Sequence, residues 1–356
     1  MTLASTLLPP GVATLLAAAA LSIVVVGVVA RVARARQAFD RPSARRSHTV
    51  PTPRLGGVGL WVAFLGARLF EARGPAAGAL EWGCTAFFLL GFVDDLRVGG
   101  HGLPARVKLA GQVACALLPV ALGLRFAGAG SGPFGPLDFG LLEAPMTVLW
   151  LLAVANLVNF TDGLDAIAGT TCAVAFGLAL GVAGGAEVGE GAAVWGAALG
   201  AVLGFLAWNA PPARIFMGDG GSHALGFLVA ATVCRVDVAG LEGAALRPVP
   251  WALLGGALVP SIVDVGEALL HKGRHGIPMS LAHNDHLYQR LHKSGLSQTA
   301  VALRYGALAV AGAAVAGPLA SAAGLAVALP VGAAILGAHL VDGARRTRGI
   351  PRLEAP

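Results

Sequence analysis

Eleven apolar stretches follow one another along this chain, and a polypeptide built that way has one workable solvent, the interior of a lipid bilayer. A membrane-spanning helix needs about 20 mostly apolar residues, within a range of roughly 17 to 25. The runs are Gly11 to Ala30, Val58 to Phe70, Ala76 to Val93, Val107 to Leu124, Leu141 to Val158, Leu164 to Gly185, Ala192 to Ala210, Gly221 to Val236, Val249 to Leu270, Thr299 to Ala316 and Leu319 to Val341. The second is short and carries Arg68, and only Gly317 and Pro318 divide the last two, so ten helices is the alternative count. With 56% hydrophobic and 12% charged residues, too little polar surface remains to coat a soluble globule. The expected fold is all-α: one polytopic membrane domain over residues 1–341, then a basic tail over residues 342–356.

Composition narrows the function classes. The 51 glycines lie largely inside apolar runs, where small residues let helix backbones approach closely. Cys84, Cys115, Cys172 and Cys234 also sit in apolar segments without CxxC spacing, which suggests neither a metal site nor a disulfide framework. The first run has no positively charged stretch before it and is expected to stay as a spanning helix. A net charge of +6 raises nucleic acid as a partner, but the arginines cluster between apolar runs, as membrane topology requires. Seven of them fall between Arg31 and Arg54. With the chain starting outside, the loops after the odd-numbered runs and the tail are cytoplasmic and hold most of the Lys and Arg. That charge also suits anionic lipid head groups.

The loops on that side carry the chemistry. Gly91-Phe92-Val93-Asp94-Asp95 ends the third run, and Lys108 stands at the start of the fourth. Adjacent carboxylates at a membrane boundary can hold Mg²⁺ or accept a proton, and they also suit a plain solvated helix end. The fifth run closes in Asn156-Leu157-Val158-Asn159-Phe160-Thr161-Asp162-Gly163-Leu164-Asp165. Three-residue spacing puts Asn156, Asn159 and Asp162 on one helical face. Asp162-Gly163 reads equally as a turn, and Asp165 as a first-turn residue favoured by the helix dipole. Phe216-Met217-Gly218-Asp219-Gly220-Gly221-Ser222 opens the eighth run, where glycines admit a ligand and a helix N-terminus offers N–H groups to phosphate; a capping Asp is the plainer reading. The longest polar loop, His271 to Ser297, holds Arg274 and Leu281-Ala282-His283-Asn284-Asp285-His286-Leu287-Tyr288-Gln289-Arg290-Leu291. His283 and His286 can jointly contact phosphate, or a metal, or simply occupy the surface. The external loops, including the Gly- and Pro-rich Ala127 to Pro136, hold nothing comparable.

In order and spacing, Asp40-Arg41-Pro42, Pro53-Arg54-Leu55-Gly56-Gly57, the Asp94-Asp95 motif, Lys108, Asn156 to Asp165, Phe216 to Ser222 and His283 to Leu291 resemble the polyprenyl-phosphate N-acetylhexosamine-1-phosphate transferases, over most of the chain. The resemblance implies that undecaprenyl phosphate attacks the sugar-linked phosphorus of a UDP-N-acetylhexosamine, releasing UMP, with Mg²⁺ or Mn²⁺ required. It implies Asp219 and Asn159 as metal ligands and Asp94 and Asp95 as the pair that organises or deprotonates the lipid phosphate. Lys108 would contact phosphate. Asp162 would support the metal and the reacting phosphates, and Asp165 would lie near the base. Asn156, Arg274, His283 and His286 would line the substrate site. The Ala-His-x-x-His-Leu-Tyr-Gln-Arg-Leu form is more similar to the branch initiating O-antigen, lipopolysaccharide or other surface polysaccharides than to the muramoyl-pentapeptide branch with its consecutive histidines. The expected location is a bacterial inner membrane with the site facing the cytoplasm, and a homodimer is compatible with such a chain.

The rival class is a transporter or polysaccharide-export component. Transporters place ionisable residues near the bilayer midplane, often at broken helices. Here the charged motifs stand at helix ends, except for Asp264 and Glu267 late in the ninth run. A membrane protease would want a nucleophile such as the GxSxG serine, and that motif does not occur.

Overall fold

The computed structural model describes residues 9–40, 50–69, 77–97, 102–126, 139–184, 190–236, 251–279, 281, 284–317 and 322–352. Helices dominate them, in the order α1 (Pro10–Ala35), α2 (Gly56–Leu69), α3 (Ala77–Leu96), α4 (Ala105–Ala121), α5 (Glu143–Thr161), α6 (Ile167–Gly184), α7 (Glu190–Asn209), α8 (Gly218–Ala231), α9 (Trp251–Arg274), α10 (Leu287–Lys293), α11 (Gln298–Ala316) and α12 (Ala322–Arg346). Every one of the eleven apolar runs carries one helix, and α10 is a short addition inside the long polar loop. Among the described residues, five segments, Gly11–Ala35, Gly140–Thr161, Gly191–Asn209, Leu253–Arg274 and Gln298–Ala316, are long and apolar enough to cross a membrane. The chain is an all-α, multi-pass membrane protein. Leu16, Val24, Leu89, Leu117 and Leu303 are exposed on its helices, as lipid-facing side chains must be.

Four short strands depart from the expected pattern. β1 (Phe39–Asp40) pairs antiparallel with β2 (Thr52–Pro53), and β3 (Leu124–Phe126) with β4 (Cys234–Val236). The eighth apolar run therefore stops being helical at Ala231, and its last residues tie α8 to the end of α4. Burial concentrates along α8, whose residues Gly220 to Ala231 are all buried. Around it pack α3 and α5, with Trp195 and Phe205 of α7 and Phe87 of α3 filling the interior. A charged helix start is thereby held inside the bundle, which is what the site requires. The Ala127 to Pro136 loop lies outside the described residues.

Candidate active site

The Gly218–Asp219–Gly220–Gly221 start of α8 is held by three neighbours. Backbone hydrogen bonds tie the Pro53–Gly57 segment to it: Gly56 N donates to Phe216 O at 2.9 Å, Gly57 N to Met217 O at 2.8 Å, and Phe216 N to Pro53 O at 2.8 Å. From the end of α3, Asp95 accepts from the N–H groups of Asp219 and Gly220, each at 3.0 Å. The first-turn N–H groups expected to meet phosphate thus cap onto a buried carboxylate. Third, the α3 backbone at Gly91 lies against Asp219 so closely that a Cβ there would be 2.2 Å from the Asp219 carbonyl oxygen.

Held this way, the Asp219 side chain meets the other motifs. Lys108, at the start of α4, ion-pairs with Asp219 and with Asp94, the latter at 3.1 Å. Asp94 also accepts from Leu103 N. Asn159, in the last turn of α5, donates to Asp219 Oδ1 at 3.2 Å and to Ser222 Oγ at 2.8 Å. Asn156, one turn earlier, exchanges hydrogen bonds with Gln112 of α4 at 2.9 and 3.1 Å. Asp165 precedes α6 rather than opening it. Its carboxylate accepts from Ala213 N and its own N–H donates to Gln298, both at 2.8 Å.

Two cavities flank these groups. The smaller, about 250 Å³, is lined by Asp40, Arg54, Asp95, Asp162, Asp165, Phe216, Asp219 and Gln298 among others. The larger, about 520 Å³, runs between α4, α5 and α9 past Lys108, Asn156, Asn159, Leu109, Val265 and Leu269 to Lys272 and His286. Asp162, Gly163 and Gln289 line both. Arg274 stands exposed at the end of α9 and lines neither, and His283 lies outside the described residues. Arg54, Gln112, Lys272, Tyr288 and Gln289 join the site without having been singled out. Gln112 is an amide one turn past Lys108 in an apolar run, and Tyr288 and Gln289 belong to the recognised late segment, so each left a signal in the sequence.

The apolar part of α3 ends at Val93 and that of α5 at Val158, so Asp94, Asp95 and Asp162 stand past the spans. Burial, then the negative Asp219, Asp95 and Asp165, push the Asp162 carboxyl well above its usual range. Asp95 is raised to about 6 by burial and by Asp219, against the N–H groups it caps and Arg54. Asp219 is held low: burial opposes its charge, but Lys108, a hydrogen bond with Asp94 and the nearby His223 outweigh it. Since Asp95 titrates higher when folded than unfolded, the fold binds more protons between about pH 4 and 6, and stability falls as pH rises through that window. Thermal unfolding in detergent is expected to show this slope, and Asp95→Asn to flatten it; an unchanged slope in that variant would remove Asp95 as its source.

A hard divalent cation suits this donor set. Mg²⁺ is commonly held by one or two carboxylates plus substrate phosphates and waters. Asp219 supplies the carboxylate and Asn159 an amide at its side, while among the described residues no three His, Cys, Asp or Glu side chains converge as a closed zinc site would need. As the amide stands, Asn159 orients Asp219, and ligation would require turning its oxygen inward.

Comparison with known proteins adds the lineage. The sequence model of glycosyl transferase family 4 matches residues 79–237, which contain Asp94, Lys108, Asn159 and Asp219. A phospho-N-acetylmuramoyl-pentapeptide-transferase of Mycobacterium bovis is 34% identical over 259 residues, covering 60% of this chain and 69% of the relative. The chain belongs to this family. The fit extends to a probable undecaprenyl-phosphate N-acetylglucosaminyl 1-phosphate transferase of Bacillus subtilis, 28% identical over 284 residues, 77% of this chain and 75% of the relative. A family member from Halalkalibacterium halodurans, a phospho-N-acetylmuramoyl-pentapeptide-transferase, is 36% identical over 194 residues, 51% of this chain. That match spans 59% of the relative's length, under two thirds of it.

Proposed function

We propose that this family member transfers an N-acetylhexosamine 1-phosphate from a UDP-sugar to undecaprenyl phosphate, giving the lipid-linked diphosphate sugar and UMP. The observation that carries the reading is the pair of cavities sharing one wall at Asp162, Gly163 and Gln289. The smaller is carboxylate-rich and suits a soluble, cation-bearing nucleotide. The larger has leucines and a valine along α4 and α9 and cationic groups at its ends, as a lipid phosphate with its tail against the helices requires.

In this reading an oxygen of the lipid phosphate forms a bond to the sugar-linked phosphorus as the bond from that phosphorus to the UMP oxygen breaks. Lys108 neutralises phosphate charge as the two anions approach, and Asp94, bonded to it, orients the ammonium and can take the proton of the attacking phosphate. Asp95 acts one step back by fixing the start of α8. Asp219 and Asn159 would hold Mg²⁺ or Mn²⁺, which supplies charge stabilisation for the departing UMP. Asp162, Asp165 and Phe216 form the nucleotide side, while His286 and Lys272 face the lipid side. The charge distribution supports a cytoplasmic site in a bacterial inner membrane. The relative aligned over most of this chain, an N-acetylglucosaminyl 1-phosphate transferase by name, supports N-acetylglucosamine or a derivative as the sugar, and the form of the His283 to Leu291 segment supports a lipid-linked product that initiates a surface polysaccharide such as O-antigen.

Purified protein with undecaprenyl phosphate, Mg²⁺ and a panel of UDP-N-acetylhexosamines is expected to release UMP with at least one donor. No UMP from well-folded protein with any donor would end the reading.

A further inference from the structure

Asp264 lies in the last half of α9, only 1% exposed, and lines neither cavity. A carboxylate so deep needs donors around it, and it has four. One oxygen accepts from His286 Nδ1 at 3.0 Å and Leu287 N at 3.1 Å, the other from Tyr288 N at 2.9 Å and from the Tyr305 hydroxyl. Leu287 and Tyr288 are the first two residues of α10. A helix of seven residues has little stability of its own, so its start is fixed by a side chain from α9, one of whose oxygens also takes the Tyr305 hydroxyl of α11.

That anchoring places the cavity walls. His286 lines the larger cavity, its ring stacked on Tyr288 with centroids 5.4 Å apart. The Tyr288 hydroxyl donates to Phe160 O at 2.9 Å, bringing α10 against the end of α5. Gln289 follows into the wall between the two cavities. The fit is close: a Cβ at Gly163 would lie 2.3 Å from the Tyr288 hydroxyl and 2.7 Å from Gln289 Nε2.

We propose that Asp264 is a positioning residue of the transferase: its carboxylate fixes the α10 start and the ring of His286, and through them sets the wall at which the two substrates meet. This rests on the transferase reading for its effect on rate, not for its geometry. A carboxylate is acceptor-only, so the His286 nitrogen facing it carries a proton, and the ring is held as a donor toward α9. Other charged or titratable groups packed around this turn are Glu267 and Lys272 of α9, Asp285, Arg290, Tyr288, Tyr305 and, edge-on to Tyr305, His339 of α12; Glu267 is engaged by Arg290 and Arg352.

The test uses the full chain in detergent, with ¹⁵N-labelled histidine and steady-state kinetics. In the wild type, His286 Nδ1 is expected to resonate as a protonated nitrogen. In Asp264→Asn that signature is expected to weaken and kcat to fall about 100-fold, the scale of a small misplacement, with the KM for the UDP-sugar changed less, because His286 and Tyr288 line the larger cavity alone. Tyr305→Phe removes one donor and leaves the three at α10, so it should keep both the signature and turnover. An unprotonated Nδ1 in the wild type, or Asp264→Asn with unchanged nitrogen shifts and turnover, would overturn the proposal. So would Tyr305→Phe losing as much activity as Asp264→Asn, since the carboxylate's role would then be packing alone. If Asp264→Asn does not fold, the wild-type nitrogen shifts and Tyr305→Phe still decide. An inactive wild type showing the protonated Nδ1 would end the transferase reading and leave the anchoring geometry intact.

Discussion

Replacing Asp219 with alanine is expected to cut UMP release about 10²- to 10³-fold, the scale of removing one preorganised charge-stabilising group, while the protein inserts and purifies as before. Its carboxylate is the point where Lys108 from α4 and Asn159 from α5 converge. The main-chain N–H of the same residue is what Asp95 caps, and alanine retains that N–H, so the start of α8 survives. The side chain is 34% exposed toward the smaller cavity, so its removal leaves no large void. Asp219→Asn, equal in shape and lacking the charge, should fail to nearly the same degree. Turnover near wild type in both variants, measured on monodisperse protein, would take Asp219 out of the chemistry.

Gly91→Val should be harsher, losing activity and fold stability together. Its first added carbon would sit 2.2 Å from the Asp219 carbonyl oxygen, 2.4 Å from the carbonyl carbon and 2.6 Å from Gly220 N. All three are backbone atoms of a helix start pinned by Asp95 and by the Pro53–Gly57 segment, so α3 and α8 must part. Overpacking of this kind costs about 1 to 3 kcal/mol, and the shift falls on the residue holding Lys108. The expected readouts are a lower unfolding temperature and little UMP release. A variant of wild-type stability would mean the two helices can slide apart without penalty.

The spans were legible because apolar runs of helical length leave the backbone no other partner in lipid than itself. All eleven carried a helix, including the short one with Arg68, which is buried against Glu81 of α3 at 3.1 Å. Less visible were the ribbons at Phe39–Asp40 and Cys234–Val236, two or three residues long and too brief for any alternation to register. At the site, sequence placed Asp94, Lys108, Asn159, Asp162 and Asp219 in motifs, and the fold brings the last four around one pair of cavities, with Asp94 behind Lys108. It left the start of α8 between a phosphate cradle and a capped helix, because the acceptor filling it, Asp95, comes from another helix. The same blindness hid α10, whose first turn is held by Asp264 of α9 in addition to the local contact from His286 N to Gln289. Periodicity reports what a segment buries, and not which distant carboxylate receives its N–H groups.

Lys108 and Asp219 are 111 residues apart, and Asp95 and Gly220 are 125 apart. A ribosome adding about 5 to 20 residues per second needs roughly 6 to 25 seconds to cover such a distance. For that interval the end of α3 and the start of α4 sit at the membrane with Asp95 and Lys108 lacking the helix that completes them. The charge cluster is therefore completed only when α8 arrives, and the cavity walls from α9, α10 and α11 are added later still, so this site is assembled by the docking of successive helices.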